Sequence, residues 1–164
     1  MSCENDSLPD RRRPLHFPAV EFDNRSIIYF VTVCTKERAT VLGTAEAHDL
    51  IIDAWKEARA FLVGRYVIMP DHVHFFCSPG TWPPAPLGRW MAFWKSCVAR
   101  RWPVPAPVSG KLWQRDFWDT QLRLGDSYSA KWEYVRNNPV RAGLVSSPDE
   151  WPFQGEVNTL RWHE

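Results

Sequence analysis

The sequence predicts an α+β domain, a mainly antiparallel sheet with helices packed on one face. Two stretches dense in β-branched and aromatic residues, Ser26–Thr35 and Arg65–Ser78, read as strands. Between and after them, apolar residues recur at the three- and four-residue intervals of amphipathic helices. The resulting order of strand, helix, strand pair, helix, strand and helix is that of helices layered on an antiparallel sheet. At 164 residues the chain is long enough for one domain with a real core and too short for two ordinary ones.

Residues 1–25 are polar, contain Pro9, Pro14 and Pro18, and carry the run Arg11-Arg12-Arg13, which reads as an arm without a core of its own. Ile27 to Cys34 is almost continuously apolar, as expected of a strand central in a sheet. Thr44 offers a helix N-cap. Ala47, Leu50, Ile51, Ala54, Trp55, Ala58, Phe61 and Leu62 then mark a helix over about 45–62, which Gly64 closes. Pro70-Asp71 is a turn pair, so Arg65–Ser78 is two strands meeting at a tight connection. A Pro-rich loop spans 79–86. The next helix presents Trp90, Phe93, Trp94, Cys97 and Val98 on one face, with Arg89 and Arg100 at its margin and Lys95 away from it. After a second Pro-rich loop at 103–110, Phe117–Arg123 reads as a strand. A third helix starts at Asp126 or Ser127 and runs to about Asn137, where Pro139 stops it. The core domain is thus read as 26–145, followed by a tail over 146–164 whose Trp151, Phe153 and Trp162 can pack back on it.

The four cysteines show no paired spacing, and neither a secretory segment nor a membrane-spanning apolar run is visible, so a cytoplasmic protein with reduced thiols is expected. There is no Gly-rich phosphate loop, which excludes an ordinary nucleotide-driven motor. The net charge of +1 conceals an uneven distribution, because no Asp or Glu occurs from His72 to Arg115. That window holds Arg89, Lys95, Arg100, Arg101, Lys111 and Arg115, interleaved with five of the ten tryptophans. Cations for phosphates and flat faces for unstacked bases suit a single-stranded nucleic acid. A solvated helix face would look the same.

His72 and His74 sit one residue apart on a predicted strand, so both imidazoles share a face. Two neutral imidazoles can hold one divalent cation if a third donor approaches from another element. In the third helix Tyr134 and Asn138 are four apart and share a face. Brought over the strand, they would place a phenol nucleophile beside a three-ligand cation able to polarise a phosphodiester. Taken singly, each residue has an ordinary structural explanation.

In order and spacing, Tyr66-Val-Ile-Met-Pro-Asp-His-Val-His74, Trp113-Gln-Arg-Asp-Phe-Trp118 and Tyr134-Val-Arg-Asn-Asn-Pro-Val-Arg-Ala-Gly-Leu-Val145 resemble the single-tyrosine HUH transposases, specifically the REP-associated tyrosine transposases. Phe30–Thr35 and Trp151-Pro-Phe153 extend the likeness over roughly residues 14–155. The resemblance implies a ferredoxin-like (HUH endonuclease) fold. It implies that His72 and His74 bind Mg²⁺ or Mn²⁺ with Asn138 as third ligand, where related insertion-sequence transposases place Gln. It implies that Tyr134 attacks DNA to form a 5′-phosphotyrosine link and free a 3′-hydroxyl. The expected substrate is single-stranded DNA with hairpins formed by imperfect palindromes, and Arg89, Lys95, Arg100, Arg101 and Arg115 are the candidate DNA contacts. Asp71 stands where Asn or Glu is common in that family, and the sequence assigns it no role. Tyr128, six residues before Tyr134, faces away from it. The resemblance leaves monomer and homodimer open. Two other readings stand beside the enzyme: a domesticated protein that holds hairpin DNA without cutting it, and a zinc-containing RNA-binding domain. The latter would use an amide poorly and leave the phenol without a purpose.

Overall fold

A computed structural model describes residues 27–106, 108–123 and 125–162; the N-terminal arm with its arginine run lies outside the described residues. Five strands form one sheet: β1 (Tyr29–Cys34), β2 (Phe61–Ile68), β3 (His72–Pro79), β4 (Trp118–Gln121) and β5 (Gln154–Glu156). Their spatial order is β4-β1-β3-β2-β5, and every described pairing is antiparallel. The helices are α1 (Ala45–Glu57), α2 (Leu87–Arg100), α3 (Tyr128–Arg136) and the short α4 (Asn138–Arg141). As the apolar runs implied, β1 and β3 lie inside the sheet. Met69 N–H donates to the His72 carbonyl at 2.8 Å and closes the β2–β3 turn around Pro70-Asp71.

The helices cover both faces of the sheet, not one. Val31, Val33, Val73, Phe75 and Cys77 meet α1 and α2 through Ile51, Trp55, Trp90, Met91 and Trp94. Ile28, Val67 and Phe76 lie in a separate cluster with Tyr128 and Val135 of α3 and with Trp151 and Leu160 from the C-terminal residues. Because side chains alternate along a strand, His72 and His74 share the Phe76 face and look toward α3.

The helix read over 45–62 ends at Glu57, and Phe61 begins β2. Phe61 and Val63 are buried while Leu62 between them is exposed, so from here the chain follows period two. Gly64 does not close a helix. It lies where the β2–β3 register slips, between Val63 opposite Cys77 and Tyr66 opposite Phe75, a one-residue bulge. A Cβ at Gly64 would come within 2.7 Å of Leu160 and of the Tyr128 hydroxyl. The bulge reverses the alternation of β2, placing Tyr66 and Ile68 with α1 and Val67 on the histidine face. Pro139 does not end the helical run either: α3 closes at Asn137, and Pro139 sits in the first turn of α4, where its missing N–H costs nothing.

The C-terminal residues complete the sheet as β5 against β2. Trp151 Nε1–H donates to the Ile68 carbonyl at 3.0 Å, and Trp162 Nε1–H to the Asp126 carbonyl at 2.7 Å. Of the tryptophans, Trp82 is the exposed one among the described residues; Trp55, Trp90, Trp94 and Trp113 form an aromatic core whose large side chains each contribute about 1.5–3 kcal/mol on burial.

Burial also fixes how stability depends on alkali. It pushes Tyr29, Tyr66 and Tyr128 up from 10.0 to about 12, Cys34 from 9.0 to about 12, and Cys77 well above 9.0. These groups keep their protons in the folded chain at pH values where the unfolded chain has released them. Their contribution is therefore complete below pH 9.0 and lost as pH rises toward about 12. Lys95 acts oppositely, since burial lowers it from 10.5 to about 8, but its gain is finished by pH 10.5. Thermal melts followed by circular dichroism should show the steepest loss of Tm between about pH 10 and 12. A Tm unchanged over that range would refute the burial of these groups.

Candidate active site on the helix-covered sheet face

The two histidines are held by what flanks β3. The His72 Nδ1 is 2.8 Å from Asp71 Oδ1, and the His74 Nδ1 is 2.8 Å from Thr32 Oγ1. The two Nε2 atoms converge to 3.1 Å. Thr32 is the cross-strand partner of His74 in the β1–β3 ladder, so strand pairing puts the hydroxyl there. Phe30 stacks on the His74 ring at 5.4 Å.

Asp71 in turn is held by Arg38, whose Nε donates to Asp71 Oδ2 at 3.2 Å. Arg38 arrives through a turn in which Glu37 and Arg38 take positive φ values of 51° and 57°. Such backbone costs a non-glycine residue on the order of 1–3 kcal/mol and collects at functional sites. Burial alone would raise the Asp71 pKa, but the hydrogen bond and charge of His72, with Arg38, outweigh it and hold the carboxyl below its ordinary value. An ionised carboxylate can only accept, so His72 Nδ1 carries a proton and donates it to Asp71. Burial, then the charges of His72, Arg141 and Arg38, hold His74 well below the ordinary histidine value and keep it neutral. The Thr32 hydroxyl can donate or accept, so it supports His74 in either tautomer.

Tyr134 projects from α3 and is 56% exposed, whereas Asn138, at the start of α4, is buried. Arg141 links them. Its Nη1 donates to the Tyr134 carbonyl at 2.8 Å, its Nη2 to Asn138 Oδ1, and its guanidinium lies 4.2 Å from the centre of the Tyr134 ring. Asn138 Nδ2 is buried without a hydrogen-bond partner.

Among the described residues no group of three His, Cys, Asp or Glu side chains is placed to hold a metal ion. The two imidazoles suit a divalent cation: their Nε2 atoms converge to 3.1 Å, and both Nδ1 atoms have partners that fix ring orientation, as ligating histidines require.

Of the basic residues of the acid-free window read as DNA contacts, Arg115 alone lies near the histidines; Arg89, Lys95, Arg100 and Arg101 lie elsewhere. Lys95, read as a DNA contact, is buried, and its ammonium donates to the Gln114 carbonyl at 2.8 Å and the Arg115 carbonyl at 3.4 Å. It pins the segment entering β4. Met91 and Lys95 are buried on α2 while Phe93, expected inside, is half exposed, because α2 is rotated about its axis from the face inferred. Arg89 and Arg100 are exposed on this helix, across the sheet from the histidines. Arg101 forms a two-pronged pair with Glu57 at 3.1 Å. Arg115 is exposed; its neighbour Gln114 donates to the Cys34 carbonyl at 3.0 Å, which sets Arg115 at the His72 end of β1.

Thr32, Arg38, Asp71 and Arg141 were not legible as site residues. Only Asp71 carried a local signal, its place directly before the first histidine.

The family described as "Transposase IS200 like" matches residues 24–138. A REP-associated tyrosine transposase of Escherichia coli (strain K12) is 27% identical over 127 residues, covering 76% of this chain and 73% of that protein. A solved structure of a REP-associated tyrosine transposase, described as bound to a REP hairpin, superimposes with a TM-score of 0.65 at 21% identity, over 85% of this chain and 82% of the other. The five-stranded sheet with its helices is thus the HUH fold of the tyrosine transposases, as the sequence motifs implied. The chain belongs to the IS200-like transposase family, and with that family goes DNA endonuclease and strand-transferase activity.

Proposed function

We propose that the protein cleaves and rejoins single-stranded hairpin DNA through a covalent tyrosine intermediate. One observation carries this reading: two imidazoles with Nε2 atoms 3.1 Å apart, each anchored at Nδ1, on the sheet face that α3 covers, with Tyr134 projecting from α3. His72, His74 and Asn138 Oδ1 would hold Mg²⁺ or Mn²⁺, which when bound draws charge from the phosphodiester oxygens and orients the phosphate.

The chain's own residues do the rest. The Tyr134 oxygen attacks phosphorus, forming a phosphotyrosine bond as the bond to the 3′ oxygen breaks. The phenol proton passes to solvent, and the departing oxygen takes one up as a 3′-hydroxyl. With an unperturbed pKa near 10, a phenol is a poor nucleophile alone, so lowering the charge on the phosphate is what makes the attack feasible. Attack by another 3′-hydroxyl reverses the step. The phosphotyrosine stores the phosphodiester energy, so no nucleotide is consumed.

A hairpin ligand is supported by the likeness to a transposase whose structure is described as hairpin-bound. Arg115 and Arg38, at the His72 end of the sheet, are the better placed cations for the strand being cut. Arg89 and Arg100, with the half-exposed Phe93 between them on α2, would meet a different part of the DNA.

The test is incubation with labelled single-stranded hairpin DNA from sequences flanking its own gene, with Mn²⁺, with Mg²⁺ and with EDTA. An SDS-resistant adduct that forms with metal and vanishes with EDTA is expected. Tight hairpin binding without an adduct under any metal would favour the non-cleaving binding protein.

A further inference from the structure

We propose that Arg141 is a cationic placeholder for the divalent ion: its guanidinium clasps Tyr134 and Asn138 until the metal displaces it from the Asn138 amide oxygen. The inference rests on the metal reading above and deepens it. The oxygen assigned to the metal is the acceptor of Arg141 Nη2–H, so ion and guanidinium compete for it. The same side chain spans the Tyr134 carbonyl at 2.8 Å and the Tyr134 ring at 4.2 Å, so one residue touches both the nucleophile and the third ligand.

A further observation fits a placeholder. The Asn138 amide nitrogen is buried without a partner, an arrangement that ordinarily carries a penalty. Donation from Arg141 holds that amide through its oxygen instead. A guanidinium is always charged, so the clasp persists at any pH at which the fold survives. Displaced from Asn138, the Nη2 donor is released beside Tyr134, where an incoming phosphate would sit.

The consequence is unusual, because removing a contact should tighten binding. Mn²⁺ titration of the DNA-free protein, followed by the electron paramagnetic resonance of the free ion, should give about tenfold higher affinity for Arg141→Gln and Arg141→Ala than for wild type, the scale of one charge-assisted hydrogen bond. Damage to the site would lower affinity instead. Arg141 is exposed, so circular dichroism of both variants should match wild type. His72→Ala serves as the control. If His72→Ala loses Mn²⁺ binding while both Arg141 variants bind as wild type or more weakly, the placeholder role is overturned and the metal site stands. If His72→Ala still binds Mn²⁺ with wild-type affinity, the metal site and the placeholder fall together.

Discussion

Tyr134→Phe is expected to abolish the covalent protein–DNA adduct while leaving hairpin binding within about twofold of wild type, since an exposed hydroxyl adds little to affinity. The substitution removes one oxygen and keeps the ring, so the stacking of Arg141 at 4.2 Å survives. With 56% of Tyr134 exposed, no cavity forms and stability should be unchanged. Cleavage should fall by at least about 10⁴-fold, as when other covalent nucleophiles are deleted. The measurement is adduct formation on a denaturing gel with labelled hairpin DNA, beside a binding isotherm for the same DNA. An adduct that persists in the variant would assign the attack to another group. Tyr128 is poorly suited to it: it is buried against Phe76, its hydroxyl accepts from Arg65 N–H at 3.2 Å, and burial pushes its pKa up to about 12.

The second large effect is expected from the histidines. His72→Ala and His74→Ala should each remove Mn²⁺ binding at micromolar metal and reduce cleavage by at least about 10³-fold, because one lost imidazole leaves too few donors. His74 also packs on Phe30 and bonds Thr32, so its replacement should cost about 1–3 kcal/mol of stability as well. Asp71→Asn separates orientation from ligation. An amide of the same shape holds His72 Nδ1–H less strongly than the carboxylate 2.8 Å away does now, and such partner changes cost about 10–100-fold in metal affinity. Calorimetric Mn²⁺ titrations of the three variants give the ranking directly. Wild-type metal affinity in His74→Ala would sink the assignment of the pair.

Legibility followed the range of the physics involved. That His72 and His74 share a face, that Thr44 caps one helix and Asp126 or Ser127 another, and that Pro70-Asp71 turns the chain depend on residues a few positions apart; the structure keeps all three and selects Ser127 as the second cap. The end of α1 was misread because Ala58, Phe61 and Leu62 satisfy a helical period that sheet pairing with β3 overrides. Lys95 looked like a surface cation because its partners are two carbonyls 19 and 20 residues away.

By itself, then, the sequence determined the strands, the element order, the histidine pair, the tyrosine four residues before an amide, and the family those motifs mark. Only the tertiary structure decided which face each helix covers, that the C-terminal residues add a fifth strand, and how the histidines are held. Thr32 reaches His74 across 42 residues and Arg38 reaches Asp71 across 33. Contacts of that separation exist only after the sheet has closed, because strand register, not local spacing, brings such side chains together.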